Sequence, residues 1–283
     1  MATPPPRGDD HAARPWHDPA PQAACCTVRQ PLLRAAGLGV DYAGIPALRG
    51  VDLDINAGCI TAVVGPSGCG KSTFLHTLNR MTDLIPRTRV HGELRLQGVS
   101  LLDPAADTLA LRRRIGMIAQ RPNPFPLSIR RNITFPLGEH GIRRREAREQ
   151  VLEECLRRVG LWPEVKDRLD RPALDLSGGQ QQRLCLARAL ALDPEVLLLD
   201  EPCSALDPMA SAVIEDLITD LRGAYTVVVV THNLAQARRI ADDLAVFWVR
   251  DGAGELVEAG PADQVFTAPR TAVTRDYITG ARG

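Results

Sequence analysis

The chain has no surplus of either charge: Lys plus Arg and Asp plus Glu both number 34 in 283 residues, a net charge of zero. That excludes broad electrostatic attraction to nucleic acid or to an anionic lipid surface, leaving only local patches. Long apolar runs are also missing. The longest, around Val227–Val230 and Val196–Leu199, are strand-sized, well short of the roughly 20 apolar residues that a membrane helix needs. The opening stretch lacks the apolar core of a secretion signal. Its Pro-, Ala- and charge-rich residues 1–30 read as a disordered extension, and its Pro4-Pro5-Pro6 run as solvated tail. The seven cysteines stand singly or as the neighbours Cys25 and Cys26, with no Cys-x-x-Cys and no zinc-like spacing to histidine. They read as reduced thiols. No internal repeat is present.

What is there is globular. Hydrophobic residues make up 45% and charged residues 24%, and the length suits one large domain, or one domain with an insertion. Val51-Asp52-Leu53-Asp54-Ile55 alternates as a half-exposed strand does. Cys59 to Val64 is a short β-rich run ending at Gly65, and Phe74, Leu75 and Leu78 then fall at helical spacing from Lys71 to about Met81. From about Arg121 to Asp175 the character changes. A Pro-broken segment, Pro122 to Pro126, leads to an Arg-rich helix with Val151, Leu152, Cys155, Leu156 and Val159 on one side, which reads as an inserted helical subdomain. The alternation of helix and strand then resumes. A helix from about Gly179 to Ala191 feeds the Val196 strand. Asp207 and Pro208 open a second helix with an apolar stripe of Val213, Ile214, Leu217, Ile218 and Leu221, and Thr226 to Val230 reads as an interior parallel strand. The pattern is a mostly parallel α/β core with its chemistry at the carboxyl ends of the strands.

Gly65-Pro66-Ser67-Gly68-Cys69-Gly70-Lys71-Ser72, with Thr73 following, has the G-x-x-x-x-G-K-[ST] spacing of a phosphate loop in its strand–turn–helix setting. The glycines let main-chain N–H groups wrap a β-phosphate, Lys71 faces the β- and γ-phosphates, and Ser72 offers a hydroxyl to Mg²⁺. Cys69 is either a small filler or a thiol whose oxidation blocks the loop. Asp200 ends a buried apolar strand, where an ionised carboxylate is costly unless a metal ion relieves it, so it is assigned to Mg²⁺. Glu201 beside it is placed to polarise the attacking water. His232, at the end of the Val227–Val230 strand, can hydrogen-bond the γ-phosphate and steady Glu201. Tyr42 is open between stacking on adenine and core packing. Leu176-Ser177-Gly178-Gly179-Gln180 opens a helix just before the Asp200 strand. It offers a second set of phosphate-directed amides that cannot reach the chain's own loop, which implies a second copy across the nucleotide.

That combination resembles the ATP-binding cassette ATPases, the paired motors of ABC transporters, from about Leu38 to the C-terminus. The resemblance implies a P-loop core with a mostly parallel sheet, an antiparallel β region and the helical insertion at about 121–175, followed by a C-terminal tail from about 251. It implies ATP and Mg²⁺ as ligands, with Gln120 touching Mg²⁺ and the lytic water while its loop reports to membrane subunits, and Ser204-Ala205-Leu206-Asp207 crossing the dimer interface. Narrower strings are similar to the ATPase subunit of bacterial phosphate importers: Leu78-Asn79-Arg80-Met81, Asp83-Leu84-Ile85-Pro86, Gln120 with Pro122 to Pro126, and Asp276-Tyr277-Ile278-Thr279-Gly280. They imply a peripheral subunit on the cytoplasmic face of the cell's inner membrane, hydrolysing ATP to drive phosphate import. Its partners would be a second copy of itself, two transmembrane permease subunits and, indirectly, an extracytoplasmic phosphate-binding protein, with no role for nucleic acid. The competing readings are a different cargo, such as an amino acid or phosphonate, a soluble ATPase of cofactor assembly or repair, or an ATP sensor without turnover. Departures from the pattern are Cys203 for a usual Thr, Ala119 where an aromatic is common, Arg130 and Arg131 near the expected docking surface, and a turn at Arg250 to Gly254 that reads as longer than usual.

Overall fold

A computed structural model describes residues 30–281. The Pro-rich extension expected at the N-terminus, with Cys25 and Cys26, therefore lies outside the described residues, Gln30 excepted.

Strands β1 (Pro31–Tyr42) and β2 (Ile45–Asn56) form a hairpin through Ala43 and Gly44, both at positive φ. β3 (Ile60–Val64) runs into the phosphate loop and α1 (Lys71–Leu78). This helix is shorter than the apolar spacing suggested, because Asn79 caps it and Arg80 turns into the left-handed region. Next come β4 (Thr88–Leu96), β5 (Val99–Ser100), α2 (Thr108–Arg114) and β6 (Ile115–Ile118). A helical stretch follows, made of α3 (Ile129–Glu139), α4 (Arg145–Arg158) and α5 (Trp162–Val165). The chain returns to the sheet through α6 (Gly178–Leu190), β7 (Val196–Asp200), α7 (Pro208–Asp220), β8 (Thr226–Val230) and α8 (Leu234–Ile240). It ends with β9 (Asp243–Arg250), β10 (Ala253–Pro261), α9 (Ala262–Thr267) and α10 (Ala272–Ile278).

All the strands belong to one ten-stranded sheet in the order β5-β4-β1-β2-β10-β9-β3-β8-β7-β6. From β9 to β6 every pairing is parallel, whereas β1 with β2, β4 with β1 and β5, and β9 with β10 are antiparallel. The expected long turn at Arg250 is instead a two-residue hairpin, Asp251 and Gly252 both at positive φ, with Ala253 already paired to Arg250. The stretch from 251 onward thus supplies an interior strand, β10, which pairs β2 through Gly254 and Leu48.

Strand periodicity divides the core. In β7, Val196 and Leu198 point to the side holding Phe74, Leu75 and Leu78 of α1, while Leu197 and Leu199 point to the side holding Leu184, Leu186 and Leu190 of α6. β8 repeats the split with Val228 and Val230 against Val227 and Val229. Both strands are apolar throughout because both their faces are covered. The helices α3 and α4 share the α6 cluster through Ile129, Ile133, Leu152 and Leu156. The α7 stripe is narrower than its spacing suggested: Ile214 and Ile218 are buried, but Val213 is 43% exposed.

The phosphate loop is cradled by distant chain. A Cβ on Gly65 (φ 148) would stand 2.2 Å from the Phe247 carbonyl oxygen, and one on Gly254 would stand 2.1 Å from the Cys69 carbonyl oxygen. Gly254→Ala is therefore expected to push the loop aside, weaken ATP binding at least about tenfold, about 1.4 kcal/mol, and lower the melting temperature by a few degrees. Titration with a fluorescent ATP analogue beside a melting curve checks this; parent-like affinity would mean that the cradle is slack.

Candidate nucleotide site

The loop from Gly65 to Gly70 leaves β3 and enters α1 with Gly70 at φ 87. The first-turn amides of Lys71, Ser72 and Thr73 have no partner within a helix, and the helix dipole adds positive charge there, so the turn suits phosphate. Lys71 is buried and turned back on its own loop. Its Nζ donates to the carbonyls of Gly65 and Pro66, both at 2.8 Å, and lies 3.8 Å from Cys69 Sγ. Cys69 is fully buried, and that burial pushes its thiol up, the condition of an inert packing thiol rather than a reactive one.

Ser72 Oγ donates to Asp200 Oδ1 at 3.2 Å. Burial pushes the Asp200 carboxyl above its ordinary value, while the Ser72 hydrogen bond and the charges of His76 and Lys71 pull the other way. A hydroxyl and a half-compensated buried carboxylate are hard oxygen donors of the kind that Mg²⁺ prefers. Among the described residues no group of three or more His, Cys, Asp or Glu is placed to hold a metal ion.

Glu201 follows Asp200 at φ 44, and its backbone N–H donates to the Val230 carbonyl at 2.9 Å. This left-handed step is unfavourable for a non-glycine residue, typically by about 1–3 kcal/mol. It carries the side chain out of the strand to meet two others. Glu201 Oε2 accepts from Gln120 Nε2 at 3.3 Å and lies 3.0 Å from His232 Nδ1. The three residues come from the ends of the neighbours β6, β7 and β8, with the phosphate loop on the next strand, β3. They form a row at the carboxyl edge of the sheet, where ligands of open α/β sheets bind.

Ser177, Gly178 and Gly179 stand elsewhere. Ser177 caps α6 in a capping box with Gln180, leaving the two glycines at the helix mouth. They line a shallow depression of about 230 Å³ with Leu206, Asp207 and Ala210. Because α6 packs on the sheet face opposite α1, these amides and the phosphate loop of the same chain lie on different faces. The loop of Ser204 to Asp207 edges the depression, and Asp207 caps α7 as its sequence indicated.

Tyr42 ends β1, half-buried against the α1 cluster, a place that supplies the packing contact. Arg130, near the expected docking surface, pairs with Asp170 at 2.9 Å and with Glu149. Three residues went unread. Phe247 and Gly254 wedge the phosphate loop, and buried Tyr277, raised by that burial and opposed by a hydrogen bond from the Gly65 backbone, braces it from α10. Only the ending Asp276-Tyr277-Ile278 carried any sequence signal.

Fold and site define a phosphate-loop nucleotide-binding protein whose helix α6, capped by Ser177, lies on the far side of its sheet. The family model described as ABC transporter matches residues 48–204, and the chain belongs to that family. It is 58% identical over 262 residues to phosphate import ATP-binding protein PstB 1 of Nitrosococcus oceani, covering 93% of this chain and 95% of that protein. It is 50% identical over 252 residues to phosphate import ATP-binding protein PstB 2 of Bacillus subtilis, covering 89% and 92%. Among solved structures it is similar to cbiO1 from Clostridium perfringens, described as part of the ABC transporter complex cbiONQ (TM-score 0.71, 27% identity, covering 84% of this chain and 91% of that one). It is also similar to the ATP-binding cassette MJ0796, described as a dimeric post-hydrolysis state bound to ADP and Pi (TM-score 0.67, 30% identity, covering 81% and 98%).

The Asp200 carboxyl gives a test of sign. Its folded value lies above the unfolded one, so ionising it costs stability: not at all below the ordinary carboxylate range, and in full above the raised value. Asp200→Asn is expected to raise the melting temperature of the nucleotide-free protein at neutral pH, with the gain shrinking as pH falls. It is also expected to abolish further stabilisation by Mg²⁺ added with ATP. Melting curves across pH, with and without both ligands, would expose a wrong assignment as a variant that melts lower than the parent at neutral pH.

Proposed function

We propose that this chain is the ATP-hydrolysing subunit of an importer of inorganic phosphate. Two copies work together on two permease subunits at the cytoplasmic face of the cell membrane, and an extracytoplasmic phosphate-binding protein supplies the cargo. The observation that carries the reading is Glu201 held between Gln120 and His232, two strands from the phosphate loop. The two phosphate-import relatives, matched over nearly their whole length, support the cargo.

The residues divide the work. Main-chain N–H groups from Gly65 to Thr73 receive the phosphates, and Lys71 leaves its own carbonyls for the β- and γ-phosphates. Ser72, Asp200 and Gln120 would hold Mg²⁺, which neutralises developing phosphate charge when bound. Glu201 takes a proton from water as the water oxygen bonds to the γ-phosphorus and the bond to the ADP oxygen breaks. His232 contacts the γ-phosphate and keeps Glu201 in line. In the closed pair, Ser177 to Gly179 of one copy face the γ-phosphate held by the other, adding preorganised donors.

Motion leaves through the segment after Gln120. There Phe125 and Phe135 are exposed and meet edge-to-face at 6.2 Å, with the Arg188 guanidinium 4.2 Å from the Phe125 ring. Aromatic groups exposed beside the site supply the apolar step that a permease loop can seat on.

Glu201→Gln is expected to retain ATP binding while turnover falls about 10²–10³-fold and a closed dimer accumulates. Phosphate release, nucleotide titration and size-exclusion chromatography measure the three; near-parent hydrolysis would remove Glu201 from its role. For the cargo, cells whose only copy carries Lys71→Ala should lose phosphate uptake. Unchanged phosphate uptake with loss of another solute would reassign the cargo and leave the motor intact.

A further inference from the structure

His232 is mostly exposed, and Glu201 is its one described side-chain partner, so the aim of its ring depends on the backbone that carries it. That backbone is tied down by buried polar groups leading away from the nucleotide. Thr231, the preceding residue, donates its backbone N–H to the Val63 carbonyl at 3.1 Å. Its hydroxyl accepts from the Asn233 N–H at 3.0 Å and donates to Gln236 Oε1 at 2.7 Å. Gln236 Nε2 donates to Glu215 Oε1 at 3.3 Å, and the Arg239 guanidinium donates to both Glu215 oxygens at 2.8 Å. Thr231, Gln236 and Glu215 are all buried.

The chain of bonds has one sense only. An ionised carboxylate accepts and cannot donate, so the NH₂ of Gln236 must face Glu215 and its oxygen must face the Thr231 hydroxyl. A carboxylate on α7 therefore dictates the setting of the turn that presents His232. The opening residues of α7, Asp207 and Ala210, line the depression at Ser177, so the same bonds tie the two phosphate-facing parts of the chain together.

We propose that Gln236 and Glu215 are positioning residues for hydrolysis, locking the Thr231–Asn233 turn so that His232 meets Glu201. The inference rests on the roles proposed above for His232 and Glu201. Displacing a catalytic contact by about 1 Å can slow a reaction on the order of 10²-fold, and loss of this brace is a partial displacement.

The test is a double-mutant cycle on the full chain. Gln236→Leu keeps the volume and removes both bonds. Turnover is expected to fall about tenfold with the KM for ATP within about twofold of the parent, and the same change in a His232→Ala background is expected to alter turnover by less than about twofold. Thr231→Val should reproduce Gln236→Leu and Thr231→Ser should restore the parent rate, which decides the matter even if Gln236→Leu folds poorly. Parent-like turnover in Gln236→Leu and Thr231→Val, or effects that multiply with His232→Ala, would overturn the inference while leaving the site reading intact. Parent-like turnover in His232→Ala itself would overturn the site reading, and this inference with it.

Discussion

A β-strand sends successive side chains to opposite faces, and in β7 and β8 that alternation divides the chemistry of this protein in two. The phosphate loop and α1 close over one face of the parallel strands, and α6 with its Ser177 mouth closes over the other. Apolar residues on both faces of both strands fix the division, since a one-residue slip would exchange the two sets and leave each helix facing the wrong neighbours. Within one chain, Ser177 and the phosphate loop are therefore associated with opposite faces of these strands. In the proposed reading, the need for a second copy is a consequence of strand geometry, and cooperation between two sites follows from it.

The carboxyl edge of the sheet holds several unfavourable arrangements at once. Asp200 is a buried carboxyl with a single hydroxyl donor, Glu201 sits in a left-handed conformation, and Lys71 is folded onto carbonyls it would leave for phosphate. Each would be poor design if stability were the only requirement. Strained backbone and half-satisfied buried charge persist where surrounding structure over-determines them, and they collect at functional sites. Here the surroundings are the Val230 carbonyl beneath Glu201 and the packed strands on either side of Asp200. In the proposed reading, a ligand that brings both phosphate oxygens and a cation would answer Lys71 and Asp200 together.

The features legible from sequence were those with short-range causes. A glycine-spaced turn between a strand and a helix, a Ser or Asp at a helix start, and a wholly apolar strand ending in an acid each declare themselves within a few residues, and α6, α7, β7 and β8 followed from them. The features that were left open or misread depended on partners far along the chain. Nothing near Tyr42 says that it lies beside the α1 cluster, and nothing near Arg130 says that Asp170 and Glu149 are brought beside it. The hairpin at Asp251 and Gly252 read as long because its tightness is set by the pairing of Ala253 with Arg250. The left-handed Glu201 has no sequence signal at all, since glycine is the residue that usually marks such a turn.

In the proposed reading, the same distinction of range separates most of the groups that touch phosphate from the groups that hold them. Residues 48–204, the span that defines the family, include the phosphate loop, Gln120, Ser177 to Gly179, Asp200 and Glu201. The parts that keep these in place lie almost entirely beyond it. Phe247 and Gly254 wedge the loop at contact distance, Tyr277 braces Gly65, and Thr231, Gln236 and Glu215 set the turn that carries His232. The topology requires this arrangement. β3 sits between β8 and β9 in the sheet, so the strand that launches the phosphate loop acquires its neighbours only when the C-terminal third of the chain is in place. A chain ending near residue 204 would retain the phosphate loop, Gln120, Asp200 and Glu201 but lose His232 and the strands flanking β3, and with them the rigidity that makes those groups act as a site.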